Sequence, residues 1–207
     1  GKYSQEWLTE FGLKYIRNRR KATKPWMLQL HYKAPHAEWA YPKRYASFLA
    51  EENFPFPLSF DDSLSTFAIG RHMHELPYKN VVRTAQYLTK NSSKPQQQSN
   101  STRKAESFRK RMFQAVMREY SRCLKAMDDG VGKLVDELEL AGLTNRTVII
   151  VTSDQGYFLG EHGLVDKRWV WEESIRMPLI ARFPGHFEAG LVVETMALNH
   201  DIPATLI

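Results

Sequence analysis

Thr147-Val-Ile-Ile-Val-Thr-Ser-Asp-Gln-Gly156 is the stretch on which the fold turns. Its first six residues are β-branched without a polar alternation, the pattern of a strand covered on both faces, as at the centre of a parallel sheet. Ser153 to Gly156 break that run with small and polar residues, and glycine permits a sharp turn there. Just upstream, Phe108, Met112, Val116, Tyr120, Leu124, Met127, Val131, Leu134 and Leu138 recur at steps of three or four, which predicts a helix over Ala105 to Leu140. Gly142 closes it. Gly130 and Gly132 each weaken a helix by about 1 kcal/mol relative to alanine, which leaves room for a bend near Asp128 to Gly132.

Working outward, Met177 to Phe183 reads as a further strand. Towards the start, Leu8, Phe11, Gly12, Tyr15 and Ile16 predict an amphipathic helix over Gln5 to Arg20, which Pro25 prevents from continuing. Trp26 to Tyr32 reads as a buried strand. Helices separating nearly continuous apolar strands imply an α/β layered domain with helices on both faces of a sheet. An insert at about 46–104 has no clear period, and its 91–102 portion is a low-complexity surface loop of Ser, Asn, Gln, Lys, Pro and Thr. Asn91-Ser92-Ser93, Asn100-Ser101-Thr102 and Asn145-Arg146-Thr147 match the N-glycosylation acceptor pattern.

Composition narrows the class. With 207 residues, 43% hydrophobic and 25% charged, the chain has a globular balance and enough length to bury a core without disulfide staples, and its one cysteine could not form an internal disulfide. A net charge of +6 suits an anionic partner. The basic clusters, Arg17 to Lys24 and Arg103 to Arg111, fall at predicted helix ends and are not interleaved with aromatics, so nucleic acid is not the expected partner. No run reaches the roughly 18 apolar residues of a spanning helix, and no signal peptide is visible. Because the chain opens without methionine and stops inside an apolar stretch, we expect a piece of a longer polypeptide.

In an open α/β sheet the working crevice lies beyond the carboxyl ends of the strands. Two segments put polar groups there: Ser153-Asp154-Gln155-Gly156 after one strand and Lys33-Ala34-Pro35-His36 after another. Asp154 and Gln155 offer one charged and one neutral oxygen donor, which suits Ca²⁺ or Mg²⁺ better than Zn²⁺. By spacing alone they equally fit residues capping a turn.

The run Thr152-Ser-Asp-Gln-Gly-Tyr-Phe-Leu-Gly-Glu-His-Gly-Leu-Val-Asp-Lys-Arg168, continued by Glu172-Glu-Ser-Ile-Arg-Met-Pro-Leu-Ile-Ala-Arg-Phe-Pro-Gly185, closely resembles the C-terminal half of the formylglycine-dependent sulfatases. Lys24-Pro-Trp-Met-Leu-Gln-Leu-His-Tyr-Lys-Ala-Pro-His36 is similar to that family's central strand and histidine turn, and Met127-Asp-Asp-Gly-Val-Gly-Lys-Leu134 to its helix before the metal strand. The resemblance implies an alkaline phosphatase-like sheet flanked by helices, incomplete here, and hydrolysis of sulfate esters with one bound Ca²⁺. It puts Asp154 and Gln155 on metal-ligand positions, His36 on the group that protonates the departing alcohol, and Lys167 on the partner of a sulfate oxygen. Lys33, His162 and Arg168 fall near the pocket, where they would recognise sulfate or sugar hydroxyls. Glu161, Glu172, Glu173 and Arg176 are expected in ion pairs that hold the following loop. The implied substrate is a sulfated carbohydrate, of glycosaminoglycan type with 6-O- or N-sulfated glucosamine, and the implied location is secreted, periplasmic or lysosomal.

The departure from the family pattern is the nucleophile. That residue is a cysteine converted to formylglycine within Cys-x-Pro-x-Arg or Cys-x-Ala-x-Arg, whereas Cys123 is followed by Leu-Lys-Ala-Met. Cys123 therefore reads as an inert thiol in a helix. The paired N-terminal aspartates of the family are also missing, and Asp61-Asp62 and Asp128-Asp129 stand at the wrong places to replace them. We expect a partial sulfatase catalytic domain over 1–207, inactive alone. The open alternatives are a noncatalytic anion-binding relative and a phosphodiesterase or phosphatase of the same superfamily.

Overall fold

The computed structural model describes residues 3–36, 39–62 and 102–206. The insert from 63 to 101, with nearly all of the expected 91–102 loop and the Asn91 and Asn100 acceptor sequences, lies outside the described residues.

Two helices form the frame. Helix α1 spans Ser4–Arg19 and helix α2 spans Thr102–Leu140, and they pack along each other. The buried face of α1 is Gln5, Thr9, Gly12 and Ile16, while Trp7 and Phe11 point outward. Close approach explains this choice of small residues. A Cβ on Gly130 would lie 2.7 Å from Thr9 Oγ1, and one on Gly12 would lie 2.8 Å from both Leu134 and Leu30 side chains. Helix α2 runs unbroken through Gly130 and Gly132, and Gly130 makes room for α1. Arg17 pairs with Glu137 across the crossing at 2.7 Å. Ile16, Leu138, Ala141 and Leu143 close this end of the core.

The end of α2 follows the Schellman geometry. Leu143 N–H reaches Leu138 O at 2.8 Å, Gly142 N–H reaches Glu139 O at 2.9 Å, and Gly142 sits at φ +70°.

The chain after residue 39 wraps along α2 and is tied to it by buried polar groups. Arg122 donates to Phe48 O at 3.1 Å, to Tyr41 Oη at 3.0 Å and to Glu119 Oε1 at 2.8 Å. Gln114 takes both backbone groups of Phe54, at 2.8 and 2.7 Å. Phe56 and Phe60 then meet Phe113 of α2.

Strand pairing departs from the sequence reading. Strand β1 (Ile149–Thr152) pairs antiparallel, not parallel, with strand β4 (Leu179–Arg182), in a register from Ile149 opposite Arg182 to Thr152 opposite Leu179. A parallel return needs a long crossover, usually a helix. The connection here holds the short antiparallel pair β2 (Phe158–Leu159) and β3 (Val165–Asp166), joined through a 3-10 turn at Glu161–Gly163, followed by the single turn α3 (Glu172–Ile175). Strand β1 is half-buried and β4 exposed, so the expected two-sided cover is absent among the described residues. A last helix, α4, spans Asp201–Leu206. Trp26 to Tyr32 makes no strand ladder among the described residues; its side chains dock on α1 instead, with Tyr15 edge-on to Trp26 and Tyr32 Oη 2.9 Å from Thr9 Oγ1.

Candidate functional site

Three turns carry the residues singled out from sequence. The first, Lys33 to His36, follows the extended segment that lies on α1, and His36 N–H closes it on Lys33 O at 2.9 Å. Ala34 is buried in a core with Trp39, Val116 and Cys123, while Lys33 and His36 reach the surface. A cleft of about 230 Å³ is lined by Lys33, Ala34 and His36 together with Tyr3, Ser4, Gln5, Ala40 and Cys123. Asp154, Gln155 and Lys167 do not line it.

The second turn follows β1. Asp154 is exposed and Gln155 half-buried, and Ser153 Oγ donates to Asp154 Oδ1 at 3.3 Å. Asn199 Nδ2 donates to Ser153 O at 3.2 Å, which pins the late chain to this turn. Gly156 has no substitute: a Cβ there would lie 2.3 Å from Glu173 O and 2.5 Å from Arg176 O. Its N–H donates to Ser174 O at 2.9 Å.

The third turn holds Lys167 between Asp166 and Arg168, which have φ of 100° and 94°. Left-handed backbone at such residues costs about 1–3 kcal/mol each and persists where surrounding contacts over-determine it. Those contacts come from α3. Ser174 Oγ, in a residue only 4% exposed, accepts the N–H of Arg168 at 3.0 Å and of Trp169 at 3.3 Å. Arg168 itself is exposed, its guanidinium 3.6 Å from Asp166. The Lys167 ammonium lies over the ring of Tyr157.

His162, expected near the pocket, is engaged through both ring nitrogens. Its Nδ1 is 3.0 Å from Asp62 and its Nε2 is 3.6 Å from Glu173, its N–H donates to Ser59 Oγ at 3.2 Å, and its ring packs on Trp171. The expected ion pairs of the loop are thus partly present: Glu173 faces His162, whereas Glu161 accepts the Leu159 N–H at 2.6 Å.

The first and third turns share a core. Ala34, two residues before His36, packs in the cluster of Trp39, Val116 and Cys123, against which Tyr157, Leu159 and Val165 also pack. Val165 is two residues before Lys167. Cys123 is 1% exposed, its thiol facing Ala40 O at 3.3 Å, and burial pushes its pKa up to about 12. A thiol held so is neither nucleophile nor metal ligand near neutral pH. Asp61 pairs with Arg109, and Asp129 with Lys125 and Tyr45, so neither acidic doublet is a free ligand pair. Among the described residues no three His, Cys, Asp or Glu side chains cluster as a complete metal site, and no helix is long and apolar enough to cross a membrane.

Sequence reading missed Ser174, Tyr157 and Asn199. Ser174 and Tyr157 lie inside the runs quoted above, but a lone serine or tyrosine carries no spacing signal until the fold shows what it touches.

The chain is similar to known proteins over most of its length. The chain is 28% identical over 238 residues to the N-acetylglucosamine-6-O-sulfatase of Bacteroides thetaiotaomicron, covering 99% of this chain and 42% of that protein. It is 28% identical over 188 residues to the human N-acetylglucosamine-6-sulfatase, covering 88% of this chain and 28% of that one. The chain therefore spans less than half the length of these relatives. A solved structure of a protein in complex with its substrate, D-glucosamine-2-N,6-O-disulfate, superposes with a TM-score of 0.67 at 26% identity, over 91% of this chain and 44% of that one. The fold is the α/β alkaline phosphatase-like arrangement. The sulfatase family model matches residues 1–207 throughout, and the chain belongs to that family.

Proposed function

We propose that this chain supplies the leaving-group acid, the anion-neutralising cation and part of the metal site of a sulfate ester hydrolase. Its substrates are sulfated sugars of glycosaminoglycan type, with 6-O- or N-sulfated glucosamine as the unit recognised. The observation that carries this reading is the shared core beneath the His36 and Lys167 turns. The named substrates of the relatives and of the solved complex support the sugar.

Cleavage of a sulfate ester builds negative charge on the bridging oxygen. His36, at the open cleft, donates a proton to that oxygen as the bond breaks, and Lys167 pairs with a non-bridging sulfate oxygen. Asp154 and Gln155 offer at most three hard oxygens, which fits Ca²⁺ as a partial set, since that ion takes about six to eight. When bound, Ca²⁺ would neutralise charge on the sulfate oxygens. No cysteine of this chain stands in the sequence that becomes formylglycine, so the nucleophile and the remaining metal carboxylates come from outside these residues. A secreted, periplasmic or lysosomal location belongs to the same reading.

The test is turnover of 6-O-sulfated N-acetylglucosamine by the complete enzyme. His36→Ala and Lys167→Ala should each lower kcat/KM by about 100-fold or more with the melting temperature unchanged. Unchanged turnover in both overturns the reading.

A further inference from the structure

We infer that Ser174 is a positioning residue that sets Lys167 in register with the Asp154-Gln155 turn; this rests on the reading of Lys167 given above. Ser174 meets both turns with different atoms. Its hydroxyl oxygen accepts the N–H of Arg168 and of Trp169, the two residues after Lys167, at 3.0 and 3.3 Å. Its carbonyl accepts the N–H of Gly156, the residue after Gln155, at 2.9 Å. The turn α3 that presents it is itself closed, with Ser174 N–H on Trp171 O at 2.9 Å and Arg176 N–H on Glu172 O at 2.8 Å.

The chemistry of the site gives this arrangement its purpose. A lysine is a point charge on a flexible stem, so its aim depends on where its backbone is held. Lys167 sits between two residues at positive φ, a conformation the chain does not keep without outside ties. On the far side, the Cα of Gly156 lies against Glu173 O and Arg176 O too closely for any side chain, so the Asp154-Gln155 turn cannot slide along α3. Ser174 is not a nucleophile: it is 4% exposed and accepts two hydrogen bonds from backbone N–H groups.

The hydroxyl and the carbonyl make the inference separable by experiment. Ser174→Ala removes the first and leaves the second. Amide hydrogen exchange on the whole chain should find the Arg168, Trp169 and Gly156 amides protected together. In Ser174→Ala the first two should exchange at least tenfold faster, with Gly156 unchanged. In the complete enzyme, Ser174→Ala should lower kcat about tenfold while the Ca²⁺ concentration for half-activation stays the same. Combined with Lys167→Ala it should cost nothing further, because Ser174 acts only through that lysine. If Lys167→Ala alone leaves turnover intact, the underlying reading fails. If Lys167→Ala is damaging and Ser174→Ala multiplies that loss, or leaves kcat unchanged, the positioning role fails instead. Should Ser174→Ala not fold, fast exchange of the Arg168 and Trp169 amides in the unsubstituted chain overturns the inference and slow exchange supports it.

Discussion

The Lys167 ammonium lies 5.9 Å from the centre of the Tyr157 ring, and Tyr157 in turn stacks on Tyr120 of α2 with ring centres 5.7 Å apart. An aromatic shelf thus runs from the long helix to the cation. Tyr157→Phe keeps the face of the ring and should leave turnover within about twofold. Tyr157→Leu removes a cation–π contact of about 0.5–1 kcal/mol and should weaken sulfate inhibition of the complete enzyme about two- to fivefold. Equal inhibition constants in both variants would show that the shelf is without effect.

Gly156→Ala tests the junction between the β1 turn and α3. Backbone atoms 2.3 and 2.5 Å from the new methyl group cannot rotate away as a side chain would. The substitution should therefore destabilise by about 3 kcal/mol, at the upper end of overpacking costs, as measured by urea denaturation. Gly132→Ala, with open space around it in the middle of α2, is the control and should stabilise by up to about 1 kcal/mol.

Arg122 is the buried charge that ties the chain of residues 41–48 to α2, its side chain 10% exposed beside Glu119. Arg122→Ala takes the cation from the Glu119 carboxylate, leaving it the Tyr41 hydroxyl, and removes the donor of the Phe48 carbonyl. It should lower unfolding free energy by about 3 kcal/mol. A loss below about 1 kcal/mol for Arg122→Ala would contradict the burial described.

Stability should fall in alkali in a definite window. Burial lifts the Cys123 thiol from its ordinary 9.0 to about 12, and burial likewise raises Tyr3, Tyr120 and Tyr157 above the ordinary tyrosine value. The unfolded chain releases these protons first. The stability these neutral groups contribute is fully present below about pH 9 and is lost as pH rises towards and through 12. Denaturation midpoints measured against pH, with tyrosinate absorbance followed alongside, check this. Near neutral pH the buried thiol stays protonated and out of reach of solvent, so alkylating reagents should modify Cys123 only on unfolding.

Much of this was legible in the sequence, for reasons that differ by element. The two long helices were read from period, since Ile16, Val116 and Leu138 must be buried wherever the helices pack. The direction of strand pairing was not. Thr147 to Thr152 has the composition of a two-sided parallel strand, yet its partner is Leu179–Arg182, brought back antiparallel by a connection that lacks a crossover helix. Gly130 carries a cost to helix propensity that is offset by the close approach of Thr9, which no local pattern shows. His36, Asp154, Gln155 and Lys167 stood out by the motifs around them. What positions Lys167, namely Ser174 and Tyr157, became visible only when the turns were folded together.

The most direct measurement of the central claim is the dependence of variant activity on the leaving group. In the complete enzyme, kcat/KM for a sugar 6-O-sulfate and for an activated aryl sulfate should be compared in His36→Ala and Lys167→Ala. If His36 protonates the departing oxygen, its removal should cost about 10²- to 10⁴-fold on the sugar ester and little on the aryl ester, whose phenolate leaves unaided. Lys167→Ala should cost the same on both. A His36→Ala loss that is equal for the two esters would contradict the account.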